Sequence, residues 1–290
     1  METTLIAEQL GVKILKRLRG AEVLDAIDAE DLKGNVFLVE KDGQKMVLKT
    51  GNFNKNEVAD NQKLSSLGIR THKVLDSKSG EYILYEYLDA PLLAQKDYWS
   101  DENLERVIAL HQQIRDGLAS QQPTDADIKE AEDRLWERIN TKWLPILVPN
   151  VLTADIAERI KKFYQERKDI WGKIALIYRD NNAEHYVDLS DQLAVLDVDL
   201  IFGPKEYMNM RYLCWVLFKS PQEHIGDPAV WAQKWTEYLK ATPEHYATWL
   251  LSLIGILWDI YGNENSKGQQ IEKTENIKKL LAFVMDKLGI

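Results

Sequence analysis

The strongest constraint on this chain is a strand-like run that breaks around one acid and returns with two more. From Ile174 to Leu200 the sequence reads IALIYRDNNAEHYVDLSDQLAVLDVDL. Ile174 to Ile177 is an apolar run of strand length, whereas Tyr178-Arg179-Asp180-Asn181-Asn182 is polar and turn-prone, unsuited to a strand interior. Asp180 is therefore expected on a loop. His185 to Val187 and Leu193 to Leu196 read as two short strands joined by a polar turn at Leu189-Ser190-Asp191, and the second ends in Asp197 and Asp199. Such a hairpin would return Asp197 toward Asp180. Two carboxylates held this way suit phosphoryl transfer, one deprotonating a hydroxyl and the other holding a metal ion on nucleotide phosphates. On these residues alone the plainer reading is that Asp180 caps a solvated turn.

Upstream, Gly34 to Glu40 and Lys45 to Lys49 are strand-like and flank Lys41-Asp42-Gly43-Gln44, an Asp-Gly turn that predicts a hairpin. Met1 to Leu10 reads as a short helix and Val12 to Leu18 as a first strand ended by Gly20. Phe53 to Leu67 reads as a helix closed by Gly68. Glu81 to Asp89, EYILYEYLD, reads as an aromatic strand, with a boundary near Asp89-Ala90-Pro91.

From Ser100 the pattern turns helical, with Leu104, Val107, Ile108, His111 and Ile114 on one face. Thr124 with Asp127 predicts a capping box, and Thr153 starts a helix running to Trp171, with Gly172 leading into the next strand. Phe202-Gly203-Pro204 reads as a turn before a helix from Lys205 to Phe218, with Tyr207, Met208, Tyr212 and Trp215 inward. Helices are expected near 228–240, 243–262 and 270–288, and Trp231, Trp235 and Tyr238 are candidates for a substrate cleft. His72 reads as structural or solvated, and His111 as a packed helix histidine.

Composition excludes several classes. The 290 residues, 45% hydrophobic and 29% charged, suffice for one two-lobed enzyme or two modest domains. The single cysteine, Cys214, excludes an internal disulfide framework and fits a reducing, cytoplasmic compartment. A net charge of -9 argues against a general nucleic-acid binder and suits a cationic partner. The N-terminus lacks the basic and apolar regions of a signal peptide. Ala247 to Trp258 is interrupted by Ser252 and stopped by Asp259, short of the roughly 20 apolar residues a membrane span needs, so it reads as a buried helix. No C-x-x-C, H-E-x-x-H or Walker glycine pattern occurs.

Taken together, GNVFLVEKDGQKMVLK, YILYEYL, YRD and LDVD resemble the protein-kinase-like superfamily, in its aminoglycoside phosphotransferase and choline kinase branch. The resemblance implies an α+β, two-lobed fold. A small β-rich N-lobe, five strands plus a helix, would span 1–89 and bind nucleotide; a large, mostly helical C-lobe would span 90–290. It also implies ATP and Mg²⁺ as cofactors and the hydroxyl of a small molecule, an amine-bearing sugar or alcohol, as acceptor. Lys49 would pair with the phosphates and with Glu57, Asp60 being the alternative, and Glu86, Tyr87 and Leu88 would meet the adenine edge. Asp180 would orient the acceptor hydroxyl and take its proton as catalytic base, assisted by Arg179 or Asn182. Asp197 would hold the metal with His185 or Asp199 beside it, Asn182 and Glu184 being other oxygen sources.

Three departures from the family pattern keep a second reading open. His185 stands where the family has a metal-binding Asn, G-x-G-x-x-G is absent between Gly20 and Gly34, and Tyr207-Met208-Asn209-Met210 replaces an acid that braces the catalytic loop. A pseudokinase, binding nucleotide or protein without turnover, is the alternative.

Overall fold

A computed structural model describes residues 3–19, 22–24, 35–51, 53–148, 150–167, 173–262 and 271–290. Gly20, Gly34, Trp171, Gly172 and most of the acidic run between the first two glycines lie outside these. Contacts divide the chain into two compact units, 1–117 with 183–200, and 118–182 with 201–290.

Strand alternation builds the first unit. Strands β1 (Lys13–Arg19), β2 (Glu22–Leu24), β3 (Asn35–Lys41), β4 (Gln44–Thr50), β5 (Val74–Lys78) and β6 (Tyr82–Glu86) form one sheet in the order β2-β1-β3-β4-β6-β5. Every pairing among the described residues of this sheet is antiparallel. The sheet thus has six strands where the sequence suggested five. The addition is β2, where Val23 within the acidic segment pairs back onto Leu18.

The β3–β4 hairpin turns at Asp42 and Gly43, whose φ values of 53° and 79° are the paired left-handed conformations of a tight hairpin turn. Its register sets Phe37 opposite Leu48 and Val39 opposite Met46, and these pack with Leu84, Val12, and Ile6 and Ala7 of helix α1 (Thr3–Leu10). Because side chains alternate along a strand, Val36, Val47 and Lys49 belong to the opposite face, with Tyr85 across from Val47. The core on one face therefore determines which residues the other face presents.

Helix α2 (Glu57–Ser66) buries Glu57, Asp60, Asn61 and Leu64. The end of the unit comes from a hairpin far along the chain, β8 (Tyr186–Asp188) and β9 (Leu193–Val195), in register Tyr186 to Val195. Backbone bonds from Asp188 N–H to the Pro91 carbonyl (2.9 Å) and from Val195 N–H to the Arg70 carbonyl (2.8 Å) attach it. Asp188 then accepts from Arg106 (2.8 Å) and Lys96 (2.6 Å), and the Arg106 bond foremost holds its carboxyl well below the usual range, despite burial. His111, on α3 (Asp101–Leu118), is buried and shares a 2.7 Å hydrogen bond with the Tyr186 hydroxyl.

The second unit is mostly helical. Helix α4 (Asp125–Glu137) opens with the expected box, Asp127 N–H donating to the Thr124 hydroxyl and Thr124 N–H to the Asp127 carboxylate. It continues through a π-helical turn, Arg138–Trp143, into α5 (Leu144–Leu147). Helix α6 (Ala154–Glu166) is capped by Thr153. Strand β7 (Ile174–Tyr178) pairs with β10 (Leu200–Pro204), so Phe202-Gly203-Pro204 is strand and not the expected turn. Gly203 is what permits it: a Cβ there would stand 2.9 Å from Ile177 Cδ1, so the missing side chain allows close approach of β7. Pro204 ends the strand, where its missing N–H breaks no ladder.

Helices α7 (Tyr207–Lys219), α8 (Gln222–Ile225), α9 (Pro228–Tyr238), α10 (Pro243–Gly262) and α11 (Ile271–Leu288) complete the unit. α10 packs against α7 and α11, and Trp249, Leu250, Leu253, Ile254 and Leu257 are fully buried along it. Among the described residues no helix is long and apolar enough to cross a membrane.

Candidate functional site

One face of the sheet in the first unit borders a cavity of about 240 Å³. Its walls include Leu18, Val36 and Val47 from the sheet, Val187 and Leu196 from the distal hairpin region, and the segment Glu86-Tyr87-Leu88. At one end stand Lys49 and Asp197, with Glu184 and His185.

Lys49 is the centre of the polar end. Its ammonium donates to Glu57 Oε1 (2.9 Å) and Oε2 (2.8 Å) and to Asp197 Oδ1 (3.0 Å). Burial disfavours its charge, but Asp197 and Glu57 outweigh that and raise its pKa above the ordinary lysine value. Glu57, only 3% exposed at its side chain, also has its pKa raised, because burial outweighs the pull of Lys49. For Asp197 burial also opposes ionisation, but Lys49, helped by His185, prevails and its pKa falls. The Tyr85 hydroxyl donates to Glu57 Oε1 (2.7 Å), completing a chain Tyr85-Glu57-Lys49-Asp197. The alternative partner, Asp60, faces elsewhere and accepts from Leu200 N–H (3.1 Å).

His72 completes the wall. Its ring stacks on Tyr85 with centroids 3.7 Å apart and planes 6° from parallel, and burial foremost lowers its pKa to about 4. The sequence reading of His72 as structural missed that it lines the cavity. Tyr85, which the resemblance puts at the back of the pocket, lines the cavity and sits opposite Val47 in register.

The segment Glu86-Tyr87-Leu88 borders the cavity, although Glu86 is engaged elsewhere. Its carboxylate pairs with Arg70 (2.8 Å) and accepts from Lys73 N–H (2.8 Å), and its own N–H donates to the Lys73 carbonyl. The Leu88 carbonyl accepts from Ala90 N–H.

The expected metal residues divide. Asp197 stays 44% exposed at its side chain and adopts a φ of 46°, a left-handed backbone that aspartate tolerates better than most residues. His185 Nε2 lies 3.9 Å from Asp197 Oδ2. Asp199 is buried and accepts from Asn54 Nδ2 (2.6 Å). Among the described residues no three His, Cys, Asp or Glu side chains gather as a metal cage. An oxygen-seeking ion such as Mg²⁺ typically takes one or two carboxylates and completes its shell with phosphates and water, a demand the exposed Asp197 carboxylate can meet.

Arg179 and Asp180 belong to the second unit, on the loop after β7. Asn182 Nδ2 reaches Asp180 Oδ1 at 3.5 Å. Asn181 is buried, and its Nδ2 donates to the Met208 carbonyl at the start of α7. The loop is thus tied to α7 through an amide and a backbone carbonyl, at the place where the sequence lacks the family's bracing acid. Trp231 and Trp235, offered as cleft residues, are buried and line neither described cavity of their unit.

This architecture, an antiparallel sheet whose Lys49 pairs with Glu57 of helix α2, followed by a mostly helical region, is the protein-kinase-like fold. No family model matches the sequence, and no curated protein matches it. Solved structures do. A thermostable mutant of aminoglycoside phosphotransferase APH(4)-Ia, in ternary complex with ADP and hygromycin B, superposes with a TM-score of 0.64 at 14% identity, covering 99% of both chains. Plasmodium vivax ethanolamine kinase does so with a TM-score of 0.58 at 10% identity, covering 96% of this chain and 84% of its own. At such identities the likeness is one of fold.

Proposed function

We propose that the protein is an ATP-dependent phosphotransferase acting on a hydroxyl of a small molecule. The observation that carries this reading is Lys49 held between Glu57 and Asp197 at the end of an apolar cleft. A lysine so fixed is oriented toward phosphates, and its charge is maintained by two carboxylates, only one of which is buried. That the fold's solved relatives include small-molecule phosphotransferases supports the same reading. The division into a nucleotide-binding lobe at 1–89 and a catalytic, substrate-binding lobe at 90–290 is part of it.

In this mechanism the adenine lies between Val36, Val47 and Leu196, its edge on the backbone of 86–88, and Lys49 holds the phosphates. Asp180 orients the acceptor hydroxyl and takes its proton as the oxygen bonds to the γ-phosphorus and the bond to the β-phosphate oxygen breaks, releasing ADP. Arg179 and Asn182 assist. Asp197 is the residue to hold Mg²⁺, which when bound neutralises charge on the phosphates.

The pseudokinase reading is favoured by one observation, the His185 imidazole 3.9 Å from Asp197, where an oxygen ligand would serve Mg²⁺ better. Calorimetry of ATP binding with and without Mg²⁺, on wild type and Asp197→Ala, separates the two. Metal-dependent binding lost in the variant supports the phosphotransferase; metal-independent binding, or none, supports the pseudokinase. Once an acceptor is found, Asp180→Asn is expected to lower kcat by about 10³-fold, within the usual range for a removed general base.

A further inference from the structure

The second unit holds a cavity of a different character. It measures about 200 Å³ and is lined by Arg134, Arg138, Lys142, Arg179 and Arg211, with no carboxylate among its lining residues. Trp143, Leu251 and Trp258 contribute apolar wall. In a chain of net charge -9, a concave site ringed by cations is not the overall balance showing through. It is a local concentration of one sign.

Helical geometry produces it. Arg134, Arg138 and Lys142 recur every four residues through α4 and the π-helical turn, so they share a face, an arrangement unfavourable for a helix unless a counter-charge is supplied. Arg134 is braced by donating to the Phe202 carbonyl (2.5 Å), and Lys142 lies 4.2 Å from the centroid of the Trp258 ring. Glu130, 3.7 Å from Arg134, is 77% exposed and lies outside the cavity lining. Arg134 and Lys142 are thus held in place at the cavity wall.

We infer that this cavity binds a small organic anion, a phosphate monoester or carboxylate carrying an aromatic or aliphatic body. Guanidinium forks match both headgroups bidentately, and the indole and leucine walls accept the body. An ammonium-bearing ligand would meet five like charges. The site stands apart from the phosphotransfer reading, because binding here requires neither Lys49 nor Asp180. Arg179 alone is common to both and is left unaltered in the test.

The test is calorimetry on the full chain with phenyl phosphate, phenylacetate, inorganic phosphate and benzylamine. Phenyl phosphate and phenylacetate are expected to bind one-to-one and to displace each other, and whichever binds more tightly identifies the headgroup. Benzylamine is expected not to bind. The pair Arg138→Gln with Arg211→Gln should weaken the anions at least about tenfold, and Arg138→Lys, which keeps the charge but loses the fork, should weaken them by less. If the paired variant does not fold, Arg138→Gln alone serves. Lys49→Met should leave phenyl phosphate binding intact even where ATP binding is lost, which keeps failure here distinct from failure of the kinase reading. Anion binding unchanged in the arginine variants, binding lost with Lys49→Met, or benzylamine binding as tightly as the anions would overturn the site. Inorganic phosphate binding as tightly as phenyl phosphate would overturn its assignment to an organic ligand.

Discussion

The two cavities hold charge in opposite ways. In the first unit each charge has its complement: Lys49 is shared by Glu57 and Asp197, and Glu57 is further bonded by Tyr85. In the second, five cations line a space with no carboxylate among them. A balanced cluster is stable without ligand and breaks when one member is removed, because the partner is left buried and uncompensated. A cluster of one sign repels itself to the extent that its neighbours leave it uncompensated. Local pairing, not the net charge of the chain, decides what each site selects.

That contrast can be broken by substitution. Lys49→Met leaves the Glu57 carboxylate buried without its cation and is expected to destabilise the fold by about 3 kcal/mol in urea unfolding. Adding Glu57→Gln should recover part of the loss. If Lys49→Met costs less than about 1 kcal/mol, the first cavity is not the balanced cluster described here.

The next effect appears with pH. His72 is held neutral, its pKa lowered to about 4 by burial, whereas in the unfolded chain it titrates near 6.5. Below that value the unfolded state binds the extra proton, so this contribution to stability is complete at pH 7 and falls as the solution is acidified toward pH 4. The difference amounts to about 2 kcal/mol by pH 5 and should be reduced in His72→Gln, read as the change in unfolding free energy between pH 7 and pH 5. Equal pH slopes in the two proteins would remove His72 from the account.

Smaller still, Tyr85→Phe deletes one hydrogen bond to a buried carboxylate and should cost about 1–2 kcal/mol. The smallest effect carries the opposite sign. Arg138→Gln removes one of five like charges and should be neutral or stabilising by up to about 0.5 kcal/mol in the absence of anion, measured by thermal unfolding. A clear destabilisation there would mean the second cavity is already neutralised.

Much of the first site was legible because strands and turns write it locally. The Asp-Gly turn and the alternation of GNVFLVEKDGQKMVLK fix the register that puts Lys49 on the face opposite Phe37 and Leu48. A carboxylate in the first turn of the following helix was enough to nominate Glu57, with Asp60 the alternative until the fold turned it toward Leu200. His72 is structural, as one of its two readings had it, but its place on the cavity wall was not legible because stacking on Tyr85 joins residues on separate segments. Gly203 was misread as a turn residue because its reason lies in Ile177 on another strand. Asp188 gave no signal at all, since Arg106 and Lys96, its partners, are remote in sequence.

The chain by itself determined most of the strand and helix order, the β3–β4 hairpin register and the caps, and nominated residues suited to phosphoryl transfer, because periodicity, turn chemistry and capping act over a few residues. Only the tertiary structure decided that Lys49 meets Asp197 across 148 positions of sequence, that Asn181 reaches Met208 in place of an acid, and that five cations face one cavity in an acidic protein. Charges and hydrogen bonds act over a few ångströms of space, and which groups come that close is a property of packing.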